Sequence, residues 1–554
     1  GDNSAGADYS PVTLSFSANS LGTRTVGVRV TDAAHPQYQS NGAQTDYLTR
    51  YWTFSDASAG TYTYTAAFSY VAADITGTEG NIKVNRYNTS WYPMVSGASS
   101  NSMTILTNQT QATGTLNGSA FTGRVEPSST YVWDQSTSTD FTVATNWTPD
   151  RNTPQITDVL QFSAGGSQTC TNVPTQTVNR IVVSGNTNVS LQSASAGQII
   201  TISGGTGNNL DIQSGSTLQL ASAGANAISI NYLPSTQNAS IAGNLTIVTN
   251  TGYNNTYDAT NSNTLVTGTG SITNAGTITS TASNLSFGSG TTYNHNYTTT
   301  AGTIPTATWN ANSTLAFIGY TSNTAAPTGL GQSFGNVNWN CTNQAATVNL
   351  NAGLNSVIGN FTITSTNGQI TQLTTGTTLN PLSIGGNLAI NNGTLAITGG
   401  ANASTVNVAG GFSISGGTLD LSSGAGVGTI NLIGNFSMTG GTLTESGGAT
   451  TSGINFSGTS SQTFTKSAGT ISNQANFNVL SGATLDMGTN VLDGAAAIFN
   501  LNSGATLISG NQNGIYAATA NGNVQTLTRT YSATANYTFN YSGAGTQNTG
   551  TGFV

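Results

Sequence analysis

Residues 385–460 repeat with a period of about 24 residues, and few folds accept such a repeat. Leu388, Phe412 and Phe436 stand one period apart, as do Leu395, Leu419 and Leu443. So do Val406, Ile430 and Ile454, followed two places later by Val408, Leu432 and Phe456. Three short apolar pairs in strict alternation leave no room for helices and suit short strands. A parallel β-helix needs this arrangement, because each coil turns alternate side chains inward and the next stacks like residues about 4.8 Å above. Gly416-Gly417, Gly440-Gly441 and Gly447-Gly448 fall at the corners, where turning calls for positive backbone torsions. The motif continues with looser spacing in Gly243-Asn244-Leu245-Thr246-Ile247, Gly359-Asn360-Phe361-Thr362-Ile363 and Ser503-Gly504-Ala505-Thr506-Leu507-Ile508. Residues 155–554 then predict about 16 coils of a right-handed parallel β-solenoid, a rod on the order of 80 Å long.

Stacking also explains the composition. Like charges in register repel from coil to coil, and only 5% of the 554 residues are charged, against about a quarter in ordinary globular domains. Thr and Ser instead wet the outward faces, and corner Asn residues can stack their amides. Disorder is excluded, since 36% of the residues are hydrophobic and recur in order. A net charge of -8 with ten Lys plus Arg leaves no stripe to neutralise phosphates, which argues against nucleic acid and against a polybasic membrane patch. No apolar run reaches the roughly 18 residues of a membrane span. The opening Gly-Asp-Asn-Ser, without an initiator Met or signal peptide, reads as a mature or excised piece. Cys170 and Cys341 cannot make a disulfide framework and read as two small buried side chains, a single bridge being the alternative.

Charge divides the chain: residues 1–160 hold 19 of the 28 charged residues. Residues 1–126 alternate in short runs such as Val12-Thr13-Leu14-Ser15-Phe16, Val26-Gly27-Val28-Arg29-Val30, Tyr62-Thr63-Tyr64-Thr65 and Ile82-Lys83-Val84. They predict an antiparallel, Ig-like β-sandwich with Tyr51, Trp52, Phe54, Phe68, Tyr70, Trp91 and Tyr92 as its core. Residues 127–160, with Tyr131-Val132-Trp133 and Asn146-Trp147-Thr148-Pro149, read as a bridge capping the solenoid of residues 161–554. The whole chain is therefore expected to be all-β.

No catalytic constellation emerges. Acid–base work on glycosides needs two carboxylates roughly 5–10 Å apart. Asp420 and Glu445 come nearest, but Thr444 occupies the place above Asp420, so the two acids should point to opposite faces. Glu445 sits in the inward column of Ile397 and Leu421 and is expected to end a strand or tip outward. Asp486 reads as outward and Asp493 as part of a turn. His35 and His295, with the two cysteines, give no metal-ligand spacing. Asp134, Asp140, Asp150 and Asp158 match no calcium loop and read as a solvated cap surface. Asp74 and Glu79, in Asp74-Ile75-Thr76-Gly77-Thr78-Glu79-Gly80, are the calcium candidates; a turn whose acids face Lys83 and Arg86 is the alternative. No other cofactor is implied. Gly276-Thr277-Ile278-Thr279-Ser280-Thr281 reads as a flat Thr-rich face able to order a glycan or ice.

Tyr9-Ser10-Pro11-Val12-Thr13-Leu14, Val28-Arg29-Val30-Thr31-Asp32-Ala33-Ala34-His35-Pro36, Arg50-Tyr51-Trp52-Thr53 and Asp74–Glu79 together resemble the sandwich modules of very large secreted surface proteins of Bacteroidota. Asn146-Trp147-Thr148-Pro149-Asp150-Arg151 and Asn172-Val173-Pro174-Thr175-Gln176-Thr177-Val178 are similar to the segments that open their solenoids. The resemblance spans most of the chain through structural motifs, and it implies an architecture, export by a type IX route, and an extracellular or cell-surface place as an adhesin or filament. The chain departs from the family at both ends. No strand ending in Phe-Pro-Val-Gly precedes Gly1, and no sorting domain follows Val554. It is therefore expected to be an excerpt, or a subunit completed by its neighbours. The expected function is structural or adhesive and non-enzymatic, with end-to-end self-association, further modules of the same polypeptide or surface glycans as partners. A β-helix polysaccharide lyase or hydrolase and a glycan- or ice-binding module are the alternatives.

Overall fold

A computed structural model describes residues 9–552, apart from 20–24, 40–44, 57–61, 95, 100, 106–108, 111–114, 126–129, 153, 194, 196, 205–206, 222–225, 235–236, 251–252 and 377–380. The opening Gly-Asp-Asn-Ser, the closing Phe-Val and the boundary read at 126/127 lie outside the described residues. Within them the fold is all-β, interrupted only by three single-turn 3₁₀ segments.

The N-terminal part forms two antiparallel sheets. One runs Val12–Asn19, Tyr62–Ser69, Ser102–Ile105, Ser96–Ser99; the other runs Val26–Thr31, Tyr47–Asp56, Ala120–Arg124, Lys83–Asn88, Ser90–Pro93. Period-two burial follows, since successive side chains leave opposite faces of a strand: along Tyr62–Ser69 buried and half-buried residues alternate without a break. Trp52, Phe54, Phe68 and Tyr70 are buried together, and Trp52 and Phe68 lie 5.0 Å apart between ring centres. Tyr51 and Tyr92 depart from the expected core. Tyr51 is half-buried with its ring edge-on to His35, and Tyr92 is 40% exposed beneath the guanidinium of Arg86. Trp91 is buried, but it meets His35 edge to face and lies under Arg124. An aromatic–cation surface outside the inter-sheet core holds these rings, a role that composition does not distinguish from packing.

Beyond residue 129 the strand pairings among the described residues are parallel, except at the antiparallel strand Trp147–Thr148, a small hairpin, Thr249–Asn250 with Tyr253–Asn254, and a single antiparallel bridge between Ile515 and Gly522. The chain winds into a solenoid with three faces. One face is a single stack of sixteen strands, Gly166–Val173 through Asn536–Phe539. The parallel stacking starts inside the segment read as a bridge, where Thr130–Trp133 pairs with Val159–Phe162. Trp133, Phe141 and Trp147 close that end by packing on one another, and Trp147 also packs on Phe162. Asn146 organises the loop there, accepting the N–H groups of Thr137 and Ser138 at 3.0 and 2.9 Å.

The register read at 385–460 is present strand by strand: Leu388 meets Phe412 and Phe412 meets Phe436. Elsewhere coil length varies, being shorter where Thr169 pairs with Ser190 and longer where Thr506 pairs with Asn536. Loops absorb this variation at little cost, because closure entropy grows slowly with loop length. At the corners the second glycine of each pair takes a positive φ, 61° at Gly417 and 66° at Gly441. The first is needed for closeness, since a Cβ on Gly416 would lie 2.3 Å from the carbonyl oxygen of Asn391 one coil away.

Asparagines form two kinds of ladder. At the corners Asn336, Asn360, Asn387 and Asn435 each use Oδ1 to accept a backbone N–H of the next coil, at 2.7–2.9 Å. On a face, Asn407, Asn431, Asn455, Asn478 and Asn500 bond amide to amide, each Nδ2 donating to the preceding Oδ1 at 2.8–2.9 Å. The amide-to-amide stacking expected at corners thus occurs on a strand face, while Asn336, Asn360, Asn387 and Asn435 at the corners bond to the backbone.

Candidate functional site

The acids that the sequence offers for chemistry are bound up in local structure. Asp420 faces Thr444 across adjacent coils, so Glu445 falls just past the end of strand Thr442–Thr444. Both acids are buried and both hold one loop. Asp420 accepts the N–H of Ser446 at 3.1 Å and its hydroxyl at 2.5 Å. Glu445 accepts the N–H groups of Gly448 at 3.0 Å and Ala449 at 2.9 Å. Glu445 ends a strand as expected, but it points into the protein, where those two amides satisfy it. Burial raises the Asp420 carboxyl above its usual range, against the pull of its Ser446 hydrogen bonds.

Asp74 and Glu79 are committed to different partners. Asp74 is 3% exposed and takes both Nε and Nη2 of Arg50, at 2.6 and 3.0 Å. Glu79 accepts the Tyr70 hydroxyl at 2.9 Å and the N–H of Asn101 at 2.7 Å. The cation beside Asp74 is therefore Arg50, not Lys83 or Arg86. In the cap, Asp158 is buried against Arg151 at 2.8 Å, which corrects its reading as a solvated surface group, and Asp140 accepts the N–H of Thr142 at 2.8 Å. Lys466 reaches Asp493 at 3.1 Å. Cys170 and Cys341 are both buried and unbridged, and burial pushes the Cys341 thiol up to about 12. Among the described residues no group of three or more His, Cys, Asp and Glu could hold a metal ion. None of their helices is long and apolar enough to cross a membrane.

A cleft opens where the third face breaks. Its sheet ends at strand Thr277–Thr279 and a new one begins at Val348–Asn349. Between them, residues 296–307 and 318–332 contribute only the bridge between Thr303 and Thr328. The segment expected to form a flat Thr-rich face is thus the last strand of its sheet. Beside it lies a cavity of about 900 Å³, open to solvent and walled by Thr277, Ile278, Tyr297, Thr299, Thr303 and Asn254 among others.

The wall is held from inside. One inward column of the sixteen-strand face reads Leu220, Ile247, Asn274, His295, Phe317, Trp339, Ile363. Between Leu220 and Ile363 polar residues enter it only beside the break. Asn274 accepts the N–H of Gly276 at 3.0 Å and donates to the hydroxyls of Tyr293 and Tyr297, each at 3.1 Å. Tyr297 in turn donates to the carbonyl of Gly276. His295 Nε2 donates to the carbonyl of Ala301 at 2.8 Å, while its buried Nδ1 has no hydrogen-bond partner. The sequence names His295 and the Thr277 segment separately. Joining them needed the stacking register, which coils of irregular length hide.

No protein-family model, curated protein or solved structure matches the chain. The resemblance read from the sequence has no counterpart in these comparisons, and the residues themselves carry the functional argument.

Burial lowers His295 to about 4 from 6.5, so the native site holds a neutral imidazole. Its ring neighbours are Tyr293, Tyr297, Phe317 and Tyr320, with no charged group among them. The unfolded chain binds a proton at this histidine from about pH 6.5 downward, whereas the native site refuses it until near pH 4. Stability is accordingly expected to fall as pH drops through that window, by on the order of 3 kcal/mol from this group. Denaturant unfolding at pH 7.5 and 4.5 measures the loss, and His295→Phe should shrink it. An equal loss in the variant would refute the assignment; His35, which burial also lowers to about 4, contributes in the same direction.

Proposed function

We propose that this chain is a structural rod of an extracellular or cell-surface protein, serving display, adhesion or assembly, and that it performs no catalysis. The fate of the solenoid's carboxylates carries the reading. All six beyond residue 160 serve the chain's own structure: Asp211 accepts from Gln213, Asp258 from Thr260, Asp420 from Ser446, Glu445 from Gly448 and Ala449, Asp486 from Gly488, and Asp493 pairs with Lys466. An acid–base pair needs carboxylates free to meet substrate, and each of these has a hydrogen-bond or ion-pair partner within the chain. The amide ladder from Asn407 to Asn500 supports the same reading, since uncharged stacking lets coils accumulate without repulsion. In this reading the rod meets copies of itself or further modules of one polypeptide outside the cell.

Electron microscopy of the purified chain over a range of concentrations tests it. Particles whose solenoid part is roughly 75 Å long, by the strand spacing, and which join as concentration rises are expected. Single rods at every concentration would remove assembly and leave display. Turnover of acidic or neutral polysaccharides that disappears in Glu445→Gln would overturn the non-catalytic reading in favour of a lyase or hydrolase.

A further inference from the structure

We propose that the cleft beside strand Thr277–Thr279 binds an uncharged, hydroxyl-rich ligand, a short stretch of neutral glycan. Three independent features converge on it. The first is an unpaired edge. In a parallel ladder alternate residues direct both backbone groups to the same side. Thr277 donates its N–H to Asn255, and Thr279 accepts the N–H of Ala259, each at 2.9 Å, so both face the preceding coil. The N–H and C=O of Ile278 face the other way, toward the cleft, where no described strand pairs with them.

The second feature is the lining. The cavity of about 900 Å³ is walled by neutral polar side chains together with Ala275, Ile278 and two glycines, with no ionisable acid or base among the lining residues apart from the Tyr297 phenol. Its volume falls within the roughly 300–1,000 Å³ of small-molecule ligand sites. Threonine hydroxyls both donate and accept, as does the amide of Asn254, which matches the mixed character of sugar hydroxyls. A charged ligand would find no counter-ion there.

The third is the support beneath. The Asn274–Tyr297–Gly276 bonds and the His295–Ala301 bond pin the wall from inside, at the two places where a polar residue interrupts an apolar column. Buried polar groups cost stability unless satisfied, and His295 leaves Nδ1 without a partner. This expense falls at the cleft and nowhere else in the stretch of that column from Leu220 to Ile363. An extended peptide is the competing occupant. Pairing with a strand requires a run of backbone groups, and this edge offers one residue's worth.

The test uses the full chain, labelled and applied to an array of neutral and acidic glycans, with titration calorimetry on cellotriose, maltotriose, N,N′,N″-triacetylchitotriose and trigalacturonate. Binding to neutral members is expected, with trigalacturonate excluded. Thr299 is exposed at the cleft rim, so Thr299→Trp should fill the space without disturbing the fold, and binding should be lost while the melting temperature stays. Thr277→Val keeps the shape and removes one hydroxyl, and should weaken binding by roughly 3–10-fold. Several results would overturn the proposal: no neutral glycan bound, acidic glycans preferred, binding unchanged in both variants, or capture of an extended threonine–valine peptide in place of sugars. Each of these leaves the structural role of the rod untouched.

Discussion

Phe436→Ala is expected to destabilise the solenoid by about 3–5 kcal/mol. The ring is fully buried at the middle of a stack, 5.5 Å from Phe412 in the coil before and 5.1 Å from Phe464 in the coil after, with Phe477 at 6.3 Å. Its neighbours cannot collapse into the gap, because each is held by its own ladder of backbone bonds: Phe412 pairs in register with Leu388 and Phe464 lies in strand Gln462–Lys466. A solenoid couples each coil chiefly to its neighbours, so the loss should be local. Hydrogen exchange should quicken at residues 412–464 while the coils near Ile181 and Ile212 keep their protection. Uniform acceleration along the rod would mean that the solenoid unfolds as one unit, contrary to this picture.

Arg50→Ala is expected to cost the N-terminal sandwich about 3–5 kcal/mol, the usual result of breaking a buried ion pair from one side. Arg50 is fully buried and holds Asp74 through two bonds, with Asp32 a third contact at 3.2 Å. Removing it strands the Asp74 carboxylate at 3% exposure with only the N–H of Val71, at 3.0 Å, among its remaining bonds. The double variant Arg50→Met with Asp74→Leu should recover much of the loss, because both charges leave together. Thermal unfolding followed on the sandwich's tryptophans distinguishes the cases. A cost below about 1 kcal/mol for Arg50→Ala would place the pair with exposed bridges. The same result bears on metal binding, since an Asp74 committed to Arg50 has no carboxylate to lend to calcium.

Much of the architecture is legible in the residues alone. A solenoid repeats its environment, so the residues repeat too, and Leu388, Phe412 and Phe436 declare the sixteen-strand face through side-chain type. Alternation declares the sandwich strands in the same way, down to Tyr62–Ser69. The candidate site is legible only in pieces. Thr277–Thr279 looks like any other coil and His295 like an isolated histidine. Their coils step from Ser271 to Thr292 and from Thr292 to Thr314, both shorter than the repeat at 385–460, so the period gives no warning that they adjoin.

Periodicity by itself determined the fold class, the coil length at 385–460 and the scarcity of charge, because stacking acts on every coil alike and is written into every coil. The partner of Asp74, the inward turn of Glu445, the break in the third face and the cleft it opens were decided by tertiary structure alone. Each depends on which residues a particular loop brings together, and a loop's path is set by the space its neighbours leave rather than by any pattern along the chain.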